Sequence, residues 1–238
     1  MALYRDEGVV LRTWKLGEAD RIVVLYTKGR GKVRAVGKGV RKTKSKFGSR
    51  LEPTSHVALQ LYEGRELDIV TQVETIDRLS SLRDDLDRFT RATALLEAVD
   101  SLAQEGHPDS RLYAMLVGAL RTLAEQDHPL VVPGFFLKLL AHEGFQPRVD
   151  ACAACDEDTD LVAFDLDEGG LLCRQHRRGQ AVSPAAVHLL QLMLGGQLRD
   201  ALSTPVGAAT HEVEALATRA LEHHLERRIK SVALLKHT

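Results

Sequence analysis

Cys152 and Cys155 are two residues apart in Ala-Cys-Ala-Ala-Cys, and Cys173 and His176 repeat that spacing in Cys-Arg-Gln-His, with seventeen residues between the pairs. Thiolates and imidazoles are the donors that zinc prefers, and two such knuckles at this separation fit a four-ligand site. Between them, 161–166 (LVAFDL), 167–170 (DEGG) and 171–173 (LLC) read as strand, turn and strand. That hairpin would bring the pairs together. With every tetrahedral position taken by protein, such a zinc would stabilise the fold and not catalyse. The alternative is three inert buried cysteines and a surface histidine, which explains one cysteine more easily than two knuckles flanking a turn. The expected set is Cys152, Cys155, Cys173 and His176, although His142 also lies within chain reach of the fourth position.

The second feature is charge. The stretch VGKGVRKTKSKFGSRLEP (36–53) holds Lys38, Arg41, Lys42, Lys44, Lys46 and Arg50, with no acid until Glu52. From Lys28 to Arg50 there are ten basic residues and no acidic one, in a chain whose net charge is only -1. Residues 1–60 carry 14 Lys or Arg against 5 Asp or Glu, and the remainder carries 18 against 28. Segregation of this kind points to one end meeting a polyanion. Arg12, Lys15, Arg21, Lys32 and Arg34 add a cationic strand face, with Lys28 just before the adjoining turn and Arg30 within it. A charge run is often a merely solvated loop, but one that extends a cationic face without acids favours gripping phosphates, with affinity and little sequence choice. Trp14, Tyr26, Phe47 and Tyr62 are the candidate base-stacking platforms. A small barrel needs most of its aromatics as filling, which leaves Phe47, inside the polar loop, as the expected stacking residue.

Enzyme motifs fail on inspection. Lys42-Thr43 resembles the end of a phosphate-binding loop, but Arg41 occupies a required glycine position. His142-Glu143 and His211-Glu212 each begin a metalloprotease pattern whose second histidine is replaced, by Gln146 and Ala215. His223-His224 reads as a solvent-facing pair on a helix.

The elements that would position these residues change type near residue 80. GVVLRTW (8–14), ADRIVVLYT (19–27), KVRAV (32–36), HVALQLY (56–62) and ELDIVTQVETI (66–76) read as five strands, with turns at 29–31 and 63–65 and one long connection at 37–53. Five short strands fit a small barrel of the OB type, which binds oligonucleotides. Beyond Ser80 the apolar spacing becomes helical: Phe89, Ala92, Leu96, Val99 and Ala103; Leu112, Leu116, Leu120 and Leu123; Phe136, Leu139 and Leu140; Val213, Leu216, Ala217, Ala220, Leu221 and Leu225. Ser183-Pro184 reads as an N-cap with proline in the first turn. The expected class is α+β: an OB domain over 1–78, then a helical domain over 79–238 with a zinc-binding insertion at about 150–178. No apolar run approaches the roughly 20 residues of a membrane span, the N-terminus lacks a signal-peptide core, and three cysteines do not make a secreted disulfide framework. These features together point to a cytoplasmic protein.

The segments 8–53, HVALQLYEG, LDIVTQVE, FFLKLLAHEGFQPRVDACAACD and LLCRQH together resemble the RecO family of bacterial DNA-repair proteins. The resemblance spans nearly the whole chain and is most specific in its first 75 residues. It departs at His176, where zinc-bearing relatives often carry cysteine. It implies a non-enzymatic, nucleoid-associated recombination mediator that binds single- and double-stranded DNA through the OB domain and anneals complementary strands. It further implies action on strands coated by single-stranded-DNA-binding protein (SSB), help from RecR in loading RecA onto gapped DNA, and an indirect link to RecF. The acidic tail of SSB would dock on the helical half, with Arg121, Lys138 or Arg227-Arg228 as its cationic rim. Two other readings of the residues stand beside this one: a zinc-dependent nucleic-acid enzyme and an RNA-binding OB-fold factor.

Overall fold

The computed structural model describes residues 2–45, 47–77 and 79–235, without the side chains of Leu234 and Leu235. The chain forms two compact units, Met1–Glu125 with Lys230–Thr238, and Gln126–Ile229.

In the first unit the period-two segments become strands β1 (Leu3–Leu16), β2 (Asp20–Thr27), β3 (Gly31–Gly37), β4 (His56–Tyr62) and β5 (Asp68–Asp77). They close into a barrel in the order β1-β2-β3-β5-β4. Closure depends on the length of β1. Its first half pairs with β4, from Leu3↔Tyr62 to Val9↔His56, and its second half pairs with β2, from Gly8↔Thr27 to Leu16↔Asp20. A bulge between Val10 and Arg12 bends it from one neighbour to the other. The β3–β5 pairing is parallel and short, at Ala35↔Asp68 and Val36↔Ile69, so the first half of β3 is left without a strand partner on that side. Alternation decides what fills the barrel: Val33 and Ala35 point inward while Lys32 and Arg34 face out. Val10, Val23, Leu25, Val57, Leu59, Leu61 and Val70 complete the core, each aliphatic side chain worth about 1.5–3 kcal/mol of burial.

Helices α1 (Ser81–Asp84), α2 (Leu86–Leu102), α3 (Ser110–Glu125) and α8 (Val232–Leu235) belong to the same unit. Asp85 caps α2 by accepting from the Arg88 N–H. Ala92, Leu96 and Val99 of the α2 stripe are buried, as are Leu112, Leu116, Leu120 and Leu123 of α3. Phe89 is only half-buried, and Ala103 lies just past the end of α2 as its C-cap. Glu97 on α2 accepts from the Lys230 and Ser231 backbone N–H groups and from the Ser231 hydroxyl. A buried imidazole links barrel to helix: His56 Nδ1 is 2.7 Å from Asp77 Oδ2, and His56 Nε2 is 2.7 Å from the Tyr113 hydroxyl.

The second unit contains α4 (Val131–His142), α5 (Pro184–Leu194), α6 (Leu198–Leu202) and α7 (Ala208–Leu225), with a sheet of β6 (Leu161–Asp165), β7 (Gly170–Cys173) and β8 (Gln180–Ala181) in the order β7-β6-β8. Ser183 caps α5 by accepting from the Ala186 N–H, with Pro184 in the first turn. Its hydroxyl also donates to Glu212 Oε2 at 2.6 Å, so Glu212 of the truncated His-Glu motif serves as a structural acceptor tying α5 to α7. Phe136, Leu139, Leu140, Val213, Leu216, Ala217 and Leu221 are buried, while Leu225 is half-buried. Of the histidine pair, His223 is exposed and His224 stacks on Phe145 with ring centroids 4.2 Å apart.

Candidate metal centre and nucleic-acid interface

The β6–β7 hairpin does what its sequence implies. Leu161 pairs with Cys173, and the Ala153 N–H donates to the Leu171 carbonyl at 2.8 Å, placing the first knuckle beside the second. Within the first knuckle the Asp156 N–H donates to the Cys152 carbonyl and the Cys152 N–H to the Glu157 carbonyl. Asp156 adopts a left-handed φ of 65° to complete the turn. The Cys152, Cys155 and Cys173 sulfurs and a His176 ring nitrogen then lie within 4.8 Å of one another. Cys155 Sγ is 3.8 Å from Cys173 Sγ, and His176 Nδ1 is 3.4 Å from Cys173 Sγ and 4.0 Å from Cys152 Sγ. A tetrahedron with zinc–sulfur bonds of about 2.3 Å has edges of about 3.8 Å, so the donors present fit that ion. Among the described residues the cluster includes His176 and does not include His142.

The thiols themselves favour a cation. Burial pushes the Cys152 thiol up, but backbone N–H groups of Cys173, Ala154 and Cys155 outweigh it and bring it below the ordinary range. The His176 and Gln175 N–H groups likewise lower Cys173. For Cys155 the Glu157 N–H pulls down, yet burial and the two neighbouring thiols win and the group is raised. Three sulfurs this close do not all ionise without a positive charge among them.

The basic connection after β3 is anchored at both ends. Val40, Phe47 and Leu51 insert into the barrel core, the Gly39 N–H donates to Asp20 Oδ1, and the Arg41 N–H to the Ala19 carbonyl. This corrects the expectation for Phe47. Its ring is 1% exposed, because the barrel end needs an apolar plug, and it has no face to offer a base. Tyr26 is equally enclosed, with its hydroxyl donating to the Asp109 carbonyl. Of the four candidate platforms, Trp14, beneath the Arg12 guanidinium at 5.0 Å, and Tyr62, 40% exposed, are the two with accessible surface.

The cations fall into two groups. Lys38, Arg41, Lys42, Lys44 and Arg50 are exposed on the connection, and Lys46 lies outside the described residues. Among the described residues no acid pairs with Lys38, Lys42 or Lys44, nor with Lys15 on β1. The Arg41 guanidinium donates to the carbonyls of Gly17 and Glu18. The barrel cations are by contrast engaged. Asp100 bridges Arg12 at 2.6 Å and Lys32 at 2.7 Å, Glu105 faces Arg34 at 3.9 Å, and Glu52 binds Arg21 at 2.6 Å. Lys28 and Arg30 face Glu7 and Glu63 at 3.7 Å. Sequence reasoning missed Asp100 and Glu105, which sit on and after a helix more than sixty residues from their partners and carry no local signal.

Comparison with known proteins agrees with this architecture. The family model for the recombination protein O N-terminal region matches residues 1–79 and that for its C-terminal region matches 83–233. The DNA repair protein RecO of Thermobifida fusca is 43% identical over 242 residues, covering 99% of both chains. The DNA repair protein RecO of a Nocardioides species is 45% identical over 244 residues, covering 98% of this chain and 99% of the relative. Barrel, helices and relatives thus agree along the whole length, and the chain belongs to the RecO family of DNA-repair and recombination proteins.

Proposed function

We propose that the protein is a recombination mediator and not an enzyme. It binds single- and double-stranded DNA, anneals complementary strands including those coated by SSB, and with RecR helps load RecA onto gapped DNA, with RecF acting indirectly. The observation that carries the DNA-binding part is the row of exposed lysines Lys38, Lys42 and Lys44 on an anchored connection, with no acidic partner among the described residues. Ammonium groups held without partners attract phosphates and release counterions when they meet them. Annealing needs the repulsion of two polyanions neutralised locally, and an exposed cationic loop does that without chemistry. The domain reading is an OB-type DNA-binding region over 1–78 and a helical region over 79–238.

One zinc per chain, held by Cys152, Cys155, Cys173 and His176, is the cofactor we assign. Four protein donors around one centre match a structural ion, and when bound it would fasten the β6–β7 hairpin to the preceding knuckle. For the SSB tail we assign exposed cations of the second unit, Lys138 or Arg227-Arg228. Arg121, the other candidate, already holds Asp77 at 2.8 Å. The deciding experiment is annealing of SSB-coated complementary strands. Acceleration without cleavage supports the mediator, cleaved products support a zinc-dependent enzyme, and preference for RNA over matched single-stranded DNA supports an RNA-binding factor.

A further inference from the structure

We propose that Asp100 and Glu105 form an internal clasp that substitutes for DNA phosphates on the barrel and must be displaced before a strand reaches Arg12, Lys32 and Arg34. Asp100, on the last turns of α2, spans both neighbours of β2: one carboxylate oxygen meets Arg12 of β1 and the other meets Lys32 of β3. Lys32 also donates to the Asp100 carbonyl at 2.7 Å. Glu105, just beyond the helix, faces Arg34. Arg12 and Arg34 both stand opposite Val24 of β2, so the three cations line one continuous outer face of the barrel. The clasp's backbone sits on the part of β3 that β5 leaves unpaired: Glu105 bridges to Gly31 and Lys32, and the Lys32 N–H donates to the Gln104 carbonyl at 3.3 Å. A Cβ at Gly31 would lie 2.3 Å from the His107 carbonyl oxygen, so glycine is what lets the segment lie this close.

Two carboxylates on three cations reproduce, at fixed positions, the charge that a nucleic-acid strand would bring. The hold is graded. Arg12 and Arg34 remain about half exposed, whereas the Lys32 and Asp100 side chains are 16% and 19% exposed. Exposed ion pairs exchange readily, and a strand offers successive phosphates where the clasp offers only two carboxylates. The face would therefore resist weak or short anions and open to a polyphosphate. This rests on the reading that the barrel binds DNA, and the test separates the two.

Binding of a labelled single-stranded oligothymidylate to the full chain, measured across salt concentrations, is the assay. Asp100→Asn with Glu105→Gln should tighten binding about 2–10-fold and steepen the salt dependence by up to about 0.7 per cation set free. Glu66→Gln with Glu74→Gln, the same change in net charge at exposed barrel acids, should tighten it less and leave the slope alone. Adding Arg12→Gln and Arg34→Gln to the first variant should return affinity and slope toward the parent. Glu105→Gln alone, at an exposed side chain, should shift both in the same direction and keeps the test open if Asp100→Asn fails to fold. A clasp variant that binds no tighter than the charge-matched control overturns the clasp while leaving DNA binding intact. Absence of binding in parent and variants alike removes the DNA reading and the clasp with it.

Discussion

Replacing Lys38, Lys42 and Lys44 by Gln should remove most of the DNA affinity that the connection supplies. None of the three has an acidic partner among the described residues, and all are exposed, so no internal ion pair offsets their loss. Three phosphate contacts lowered by about 0.7 each flatten the log affinity–log salt slope for single strands by about 2. Near 0.1 M salt each such contact corresponds to a factor of about five, so the triple variant should bind about a hundredfold more weakly, equally for every sequence. Arg12→Gln with Arg34→Gln in the parent chain should cost far less, because those side chains already face Asp100 and Glu105. Equilibrium binding of labelled single strands over a salt series reads both quantities, and annealing rate should fall in parallel. A triple variant that keeps its affinity and its slope would show the connection to be a solvated bystander and would refute the reasoning.

Cys152→Ser should lower zinc content and melting temperature together, since metal bound only to the folded site contributes directly to its stability; zinc-free protein with unchanged melting would contradict this. Phe47→Ala should act through the core, destabilising the folded chain by about 3–5 kcal/mol in denaturant unfolding, with DNA affinity of the folded fraction little changed. Burial pushes the Asp77 carboxyl up, but Arg121 and His56 outweigh it and hold it below the ordinary range. Its contribution is therefore present above the unfolded carboxyl value, near 3.9, and disappears as pH falls through the lower folded value. Thermal melts of the parent and Asp77→Asn should accordingly differ at neutral pH and converge in acid. Arg227→Ala with Arg228→Ala should weaken binding of a fluorescent SSB-tail peptide to the full chain, and unchanged binding would shift the assignment to Lys138.

Much of this molecule is written in local pattern. Alternation specifies β3 because a pleated strand puts Val33 and Ala35 on one side and Lys32 and Arg34 on the other whatever surrounds it. Spacing specifies the thiol–imidazole cluster because two short knuckles joined by a hairpin bring Cys152, Cys155, Cys173 and His176 together through nearby chain alone. The run of bases at 38–50 declares its attraction to polyanions before any fold is known. Other features depended on distant chain. Whether Phe47 faces a base or plugs a barrel depends on where the connection crosses the barrel end, and burial against Val40 and Leu51 settled it. Whether a cation is free depends on which acid the fold carries to it. Asp100 and Glu105 reach Arg12, Lys32 and Arg34 only because α2 and the segment after it lie against β1 and β3. Electrostatic pairing acts over a few ångströms of space and is indifferent to separation along the chain, so composition could count these charges, and only the tertiary structure could say which of them face an acid.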